Sequence, residues 1–139
     1  MKVFSVNMPV PLHRKRLRER GFNQAVILAR KIAKRFALPL DFVTLRREVF
    51  TAPQVGLGHE ERSVNVRGAF TVRKPERTAG KRILLVDDVY TTGSTLAECA
   101  RTLLNAEAEA VAILTLARAF RDHDLPGKSE DSSPAAQKK

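Results

Sequence analysis

An apolar run followed by an amphipathic helix most constrains what this chain can fold into. Ile83–Val86 is a continuous apolar stretch, as expected for a strand buried on both faces of a sheet. After Gly93, apolar residues recur at helical spacing, namely Leu96, Ala97, Ala100, Leu103 and Leu104. Ala110–Leu116 is a second apolar run and predicts another buried strand. Strand, helix and strand in this order predict an α/β domain with a mainly parallel sheet flanked by helices.

The first half of the chain shows the same alternation. Val3–Pro9 predicts a strand, and Asn23–Ala37 has the apolar spacing of a helix, with Phe36 on its core side. Phe42–Leu45 and Ala69–Val72 predict two further short strands.

The remaining segments have no apolar period. Pro11–Gly21 is predicted to be a basic connector, and Arg47–Arg67 a long loop that is mobile until a ligand orders it. Pro75–Lys81 predicts a turn. We therefore expect one domain over residues 1–122, and a disordered tail over residues 123–139, where Pro, Ser, Lys and Glu dominate.

Composition narrows the function classes. The 139 residues suit a single domain, and one cysteine cannot build a disulfide framework or a four-cysteine zinc site. No apolar stretch approaches the length of a membrane-spanning helix, so we expect a cytoplasmic protein that does not enter a membrane. The net charge is +10, and residues 1–35 hold ten Lys or Arg against one acid. Such a patch favours phosphate-bearing partners, although a solvated basic face is an equally good explanation of charge alone.

The polar residues after Ile83–Val86 predict a binding site. Asp87 and Asp88 are expected beyond the end of the strand, where paired carboxylates suit a ribose diol or the waters of a Mg²⁺ ion. The next residues turn into a helix whose first N–H groups attract an anion, and they are Thr91, Thr92, Gly93, Ser94 and Thr95. Acceptors for a diol beside donors for a phosphate describe a 5-phosphorylated ribose.

Structural explanations compete with this one. Thr95 and Glu98 have the spacing of a capping box, and paired aspartates can simply end a strand. The complete run of apolar strand, DDVYTTGST and amphipathic helix is much more specific than either feature. A P-loop is excluded because its motif is absent, and Gly56-Leu57-Gly58 follows no predicted strand, which excludes a dinucleotide fingerprint.

The run resembles the phosphoribosyl diphosphate (PRPP) motif of type I phosphoribosyltransferases. Further matches extend from Val6 to Arg118 and resemble the ComF family of competence-associated phosphoribosyltransferase-like proteins. They are Pro9-Val10-Pro11-Leu12-His13, Arg20-Gly21-Phe22-Asn23-Gln24, Gln54, Arg62, Asn65, Ala69-Phe70 and Asp87–Thr95.

The resemblance implies roles for individual residues. Asp87 and Asp88 would contact the ribose hydroxyls, and Thr91–Thr95 would hold the 5-phosphate. The diphosphate loop after the first strand would contribute Arg20, Gly21 and Arg14, while Gln54 and Arg62 would lie in a flexible loop that closes over PRPP. Mg²⁺ would bind through PRPP, and no catalytic base or protein metal ligand is assigned.

The chain departs from the family pattern at its start. Family members carry an N-terminal four-cysteine zinc module and hood residues that cover the acceptor, whereas this chain begins almost at the first predicted strand. We therefore expect the hood and zinc module to be absent and transferase activity of this chain alone to be weak. Cys99 has helical spacing with Leu96 and Leu103, which predicts a core position.

Three functions follow from the resemblance. The first is a PRPP-binding transferase that displaces diphosphate with an unknown nitrogen acceptor, linked to competence and DNA uptake. The second is a regulator that binds PRPP or a nucleotide without turnover. The third is a DNA-uptake accessory protein that contacts a competence helicase or single-stranded DNA. A second copy of the chain is a further candidate partner.

Overall fold

The computed structural model describes residues 3–49, 66–90 and 93–118. They form strands β1 (Val6–Pro9), β2 (Leu45–Arg47), β3 (Phe70–Val72), β4 (Arg82–Tyr90) and β5 (Ala110–Arg118), and helices α1 (Arg14–Arg20), α2 (Gln24–Phe36) and α3 (Ser94–Asn105). A short 3₁₀ turn, Pro75–Arg77, precedes β4. The predicted tail lies outside the described residues.

The main sheet is parallel and has the order β1-β4-β5. Pro9 of β1 is paired with Val86 of β4, and Arg82–Asp87 of β4 pair in turn with Ala110–Thr115 of β5. The predicted α/β class with a mainly parallel sheet is confirmed. Because parallel strands end at the same edge, the residues that follow β1 and β4 come close together.

The sheet has an apolar core on each face. On one face, Ile83 and Leu85 pack with the α3 residues Leu96, Cys99 and Leu103. On the other, Val86 packs with Ala29 and Ile32 of α2. The side chains of β4 point alternately to the two faces of the sheet, because a strand has a period of two residues. Both faces are covered by an apolar core, so the run is continuously apolar. Cys99 is fully buried, as predicted.

A two-stranded antiparallel hairpin, β2 with β3, stands apart from the main sheet. Leu45 and Phe70 of this hairpin join the core on the α3 side. The two strands carry the two ends of the predicted long loop, whose residues 50–65 are not described. The hairpin therefore fixes the base of that loop against the domain.

Several predicted positions are corrected. Pro11–Gly21 is not a simple connector, because His13 accepts a hydrogen bond from the Lys15 N–H and starts α1, and Gly21 ends it with φ of 83°. The second strand is Leu45–Arg47 and not Phe42–Leu45, since Asp41 accepts hydrogen bonds from the N–H groups of Val43 and Thr44 and holds that segment in a turn.

Some predicted core positions are exposed. Phe36, at the end of α2, and Ala97 and Leu104, on the outer side of α3, lie at the surface. Among the described residues, β5 is an edge strand. Its side chains Ile113, Leu114 and Leu116 are therefore exposed, whereas its apolar run predicts a buried strand.

Candidate functional site

The aspartate pair lies within β4, where the sequence predicts a position beyond the strand. β4 continues to Tyr90, and Asp87 is paired with Thr115 of β5. The pairing resumes with Val89 and Ala117, while the Asp88 N–H donates to Asp87 Oδ1 at 2.8 Å. Both side chains are half-buried. The strand is longer than its apolar run because the main chain keeps its pairing after the side chains become polar.

Asp87 has an altered acidity. Burial, together with the neighbouring Asp88 carboxyl, raises the pKa of Asp87 to about 7. A carboxyl group with a pKa near neutrality can ionise and accept a hydrogen bond from a ligand hydroxyl. The same group can remain protonated when no ligand is bound. Asp87 also lies toward α3, since its charge contributes to raising the pKa of the buried Cys99 thiol.

The start of α3 is fixed by Gly93. This residue adopts φ of 84° and is the N-cap, and its carbonyl accepts a hydrogen bond from the Ala97 N–H at 2.8 Å. A Cβ at this position would lie 2.6 Å from the Tyr90 hydroxyl oxygen. Glycine is therefore required both by the backbone conformation and by the ring of Tyr90, a residue for which sequence analysis assigned no role.

The predicted phosphate residues are described only in part. Ser94 is buried and Thr95 is half-buried in the first turn of α3, whereas Thr91 and Thr92 lie outside the described residues. No side chain caps α3, so the alternative capping box of Thr95 and Glu98 is not formed. The first N–H groups of α3 point toward the same edge of the sheet as the β4 aspartates.

Glu98 has a role that the sequence did not reveal. Its buried carboxylate accepts a hydrogen bond from the Gly68 N–H at 2.9 Å and a second from Arg101 Nε at 3.1 Å. The Arg101 side chain and the Gly68 N–H lower the pKa of Glu98. Helix α3 is thereby tied to the end of the long loop, directly before β3. No signal short of the tertiary contact could have identified this link.

The predicted diphosphate residues lie at the two ends of one short helix. Arg14 is the first residue of α1 and Arg20 the last, so they lie about 9 Å apart along the helix axis. The Arg20 guanidinium stacks over Phe22, 5.5 Å from the ring centre. The other predicted loop residues, Gln54 and Arg62, fall outside the described residues and stay predictions.

A groove that we call the arginine groove lies beside the end of β1 and has a volume of about 640 Å³. Its walls come from the β1 end, α1, the first turns of α2, and β2. Among its lining residues are Arg14, Arg18, Arg30, Arg46, Arg47 and Phe42. Asn23 forms part of the wall and donates from Nδ2 to the Val10 carbonyl at 3.1 Å.

Neither a membrane-spanning helix nor a cluster of metal ligands occurs among the described residues. In the part of the chain that the structure describes, no helix is long and apolar enough to cross a membrane. Within those same ranges, no three His, Cys, Asp or Glu side chains are grouped as metal ligands would be.

Comparison with known proteins identifies relatives. The chain is 34% identical over 120 residues to Competence protein F of Haemophilus influenzae, a match that covers 86% of this chain and 52% of that protein. It is 38% identical over 109 residues to DNA utilization protein YhgH of Escherichia coli, covering 78% of this chain and 47% of the relative. Competence protein ComFC of Bacillus subtilis is 33% identical over 120 residues, with 81% and 44% covered. The chain thus spans about half the length of these relatives.

Solved structures agree on the fold. The glutamine PRPP amidotransferase of B. subtilis, complexed with ADP and GMP, aligns with a TM-score of 0.57 at 19% identity, over 83% of this chain and 23% of the enzyme. An allosteric regulatory enzyme of purine biosynthesis aligns equally well, with a TM-score of 0.57 at 19% identity, over 84% and 22%.

The family model for the phosphoribosyl transferase domain matches residues 23–134. This range includes α2, the strands β2, β3, β4 and β5, and α3, and therefore contains the β4 aspartates. With the relatives above, the match shows that the chain belongs to the phosphoribosyl transferase domain family and, within it, to the ComF group of competence-associated proteins.

Proposed function

We propose that this chain binds PRPP at the end of β4 and transfers its phosphoribosyl group to a nitrogen nucleophile. The observation that carries the proposal is the half-buried Asp87, with a pKa raised to about 7, beside Asp88 and shortly before the Gly93 start of α3. The two carboxyl groups would accept hydrogen bonds from the ribose hydroxyls. The N–H groups of Gly93–Thr95, with Thr91 and Thr92, would bind the 5-phosphate.

The proposed reaction is a displacement at the anomeric carbon. The bond from this carbon to the diphosphate oxygen breaks, and diphosphate leaves with the electron pair. The acceptor nitrogen supplies its lone pair to the new carbon–nitrogen bond and releases a proton to bulk water. The transition state has oxocarbenium character, so that fixed groups which position the two substrates supply most of the rate enhancement.

The site fits a Mg²⁺ ion that arrives with PRPP. Mg²⁺ binds carboxylate oxygens and keeps several waters, and Asp87 and Asp88 are two adjacent carboxyl groups of which one ionises only near pH 7. The ion would neutralise charge on the diphosphate. The side chains that would hold the ion, through its waters, are these two aspartates.

A second candidate function is the handling of DNA. The relatives named for competence and DNA utilization favour a link with DNA uptake, and the basic residues 1–35 are suited to a polyanion. Binding of PRPP as a regulatory signal, without turnover, would join the two functions. The proposed compartment is the cytoplasm, where the free thiol of Cys99 stays reduced.

The test is thermal unfolding of the full chain with Mg²⁺ and PRPP. At a hundred times its dissociation constant, PRPP should add about 2.7 kcal/mol to the free energy of unfolding. The double variant Asp87→Asn with Asp88→Asn should fold and lose this gain, while the control Glu109→Gln, at the opposite edge of the sheet, should keep it. Absence of stabilisation at millimolar PRPP in folded protein would refute the proposal.

Turnover is measured separately, as diphosphate release from PRPP in the presence of ammonia, glutamine and nitrogenous bases. Release that depends on an added acceptor supports a transferase. PRPP binding without any release would assign the chain to the regulatory function.

A further inference from the structure

We propose that the β5 edge of the main sheet binds a second copy of this chain, so that the two β5 strands pair antiparallel and join the two sheets. The inference assigns an interaction surface, and it does not depend on the proposed PRPP site. It is carried by the open edge of the sheet, by exposed apolar side chains on both faces of that edge, and by the composition of the strand.

Among the described residues, the main sheet has one covered edge and one open edge. Beyond β1, the Asn7 N–H donates to the Pro39 carbonyl at 2.8 Å, and Asn7 forms an isolated bridge with Leu40. The Asp41 N–H also donates to the Asn7 carbonyl, at 3.0 Å. At the other edge, β5 has β4 as its one neighbour in this part of the chain, although it is nine residues long. Its outer N–H and C=O groups therefore offer a template for a further strand.

Apolar side chains are exposed on both faces of β5. Leu114 is paired in register with Val86 and lies on the α2 face, where Leu116 is 74% exposed. Ile113 is paired with Leu85, lies on the α3 face and is also exposed. Val86 and Leu85 are fully buried, each in the core of its own face. A neighbouring strand that continues both faces would bury the apolar side chains that β5 leaves in water.

The composition of β5 lacks the features that keep edge strands apart. Residues 110–117 contain no proline and no charged side chain, which are the usual means by which a sheet edge avoids pairing. Residues 119–139, which follow the strand, hold only two large apolar side chains, Phe120 and Leu125, among charged, polar and small residues. Such a composition does not supply apolar cover for two faces. We therefore assign the cover to another polypeptide.

An identical strand fits this edge. A twofold axis perpendicular to the sheet keeps each face continuous, and with Leu114 on the axis the whole of β5 is paired, because Leu114 is its middle residue. Leu114 then lies opposite its own copy, and Leu116 lies opposite the small Ala112. On the other face, Ile113 lies opposite Thr115. Each large side chain outside the axis therefore meets a smaller one.

Charge and closure also favour a second copy. Antiparallel pairing brings the acidic residue before the strand, Glu109, near the basic residue at its end, Arg118, whereas parallel pairing would set like charges side by side. Because the edge beyond β1 is covered, two copies joined through β5 leave no open edge among the described residues. The association therefore closes at a dimer and does not continue into a fibre.

The experiment measures the mass of the full chain by sedimentation equilibrium at increasing concentration. The unaltered chain should show a monomer–dimer equilibrium. Leu116→Lys places a charge in the paired strand without disturbing the core, and it should raise the dissociation constant of the dimer at least about tenfold. The control Phe36→Lys adds the same charge in place of another exposed apolar side chain, at the end of α2, and should dimerise normally.

A cysteine on the proposed axis tests the register and remains informative if Leu116→Lys fails to fold. The one native cysteine, Cys99, is fully buried, so Leu114→Cys supplies the accessible thiol. Residues directly opposite in an antiparallel pair have Cα atoms about 4.5–5.5 Å apart, which a disulfide can span. Mild oxidation should link two copies of Leu114→Cys, and the control Phe36→Cys should stay unlinked.

The alternative outcomes would each overturn the inference. A chain that stays monomeric at every concentration has its β5 edge covered from within or open to water. Equal weakening by Leu116→Lys and Phe36→Lys, or equal linking of the two cysteine variants, would exclude the β5 edge as the contact. Species larger than a dimer would show an open-ended association. PRPP stabilisation is measured separately, and its failure would leave this inference standing.

Discussion

Two regions of the molecule, the β4–α3 turn and the arginine groove, lie at the carboxyl edge of the main sheet and are built differently. The β4–α3 turn is contiguous in sequence, and its geometry depends on the main chain: Gly93 at φ of 84°, the first N–H groups of α3, and Asp87 within the strand ladder. The arginine groove takes its walls from four separate elements, and its chemistry depends on side chains.

This difference has consequences for specificity and for mutation. A site fixed by the main chain accepts one geometry, which would suit the phosphate and the diol of the proposed ligand PRPP. A site lined by long arginine side chains can adjust to more than one ligand shape. We therefore expect single substitutions to have large effects in the first region and small ones in the second.

The largest expected effect concerns the ionisation of Asp87. Its pKa is about 7 in the folded chain and near 3.8 when unfolded, so the fold is favoured while the carboxyl stays protonated. The corresponding stability is fully present below about pH 4 and is lost as the pH rises through 7, to an upper limit of about 4 kcal/mol. Asp87→Asn should remove this loss and unfold later than the unaltered chain at pH 8.

Urea unfolding of both proteins between pH 5 and pH 8 measures the difference, with Glu109→Gln as the control. Parallel pH profiles for the unaltered chain and Asp87→Asn would show that Asp87 has an ordinary acidity. The raised pKa of Asp87 would then no longer support the proposed ribose contact.

The next effect comes from Gly93→Ala. The left-handed backbone costs about 1–2 kcal/mol for a residue with a Cβ, and the clash with the Tyr90 ring raises the total to about 3 kcal/mol. The matched control is Gly80→Ala, where φ is 72° and a Cβ would meet nothing within 4 Å. Only the backbone cost should appear there.

A double variant separates the two terms. Tyr90→Val should relieve the clash of Gly93→Ala but not its backbone cost, and chemical denaturation of the four proteins gives the coupling. Equal effects of Gly93→Ala and Gly80→Ala would mean that Tyr90 does not restrict the turn.

A smaller effect is expected at Glu98. Glu98→Ala removes the acceptor of the Gly68 N–H and the partner of Arg101, at a cost of about 2 kcal/mol. Glu98→Gln keeps an acceptor and should lose about half as much. Because the pKa of Glu98 is lowered, its contribution has the opposite sign to that of Asp87: it is present above the unfolded pKa and is lost as the pH falls.

Hydrogen exchange at Gly68 and Ala69 reports on this contact directly. Faster exchange in Glu98→Ala, with normal exchange in Glu109→Gln, would confirm that α3 fixes the end of the long loop. Glu109 forms an exposed ion pair with Arg82 at 3.8 Å, which is worth little. Unchanged exchange in Glu98→Ala would show that the hairpin alone fixes the loop.

The β4–α3 turn and the arginine groove also differ in how far they could be predicted from the sequence. The strand and helix around Asp87 and Gly93 were predictable because their period, their glycine and their polar residues are all local. The length of β4 was not, because pairing with β5 extends the strand through Asp87 to Tyr90. The exposure of Leu116 was also missed, since an apolar run does not reveal whether a strand lies at the edge of a sheet, as β5 does among the described residues.

The groove could not be predicted from local pattern. Arg14, Arg30 and Arg46 are far apart in the chain, and nothing in their spacing indicates that they line one cavity. Helix α1 was missed because its seven residues carry no apolar period, although its capping residues His13 and Gly21 are recognisable once the helix is known. Side-chain sites assembled from several elements require the tertiary structure.

The smallest effect tests what holds the groove together. Asn23 accepts a hydrogen bond from the Ala25 N–H at 2.9 Å as the N-cap of α2, and its Nδ2 donates to the Val10 carbonyl at 3.1 Å. Asn23→Asp keeps the cap and loses the donor, whereas Asn23→Ala loses both. Loss of the cap should cost about 1 kcal/mol, and loss of the donor about 1 kcal/mol more, since the carbonyl of the buried Val10 then loses this partner. Thermal unfolding should therefore rank the unaltered chain above Asn23→Asp and Asn23→Ala last. Equal stability of all three proteins would mean that α2 is held by its packing on Val86 and Leu84 alone, and that the groove keeps its shape without the tie.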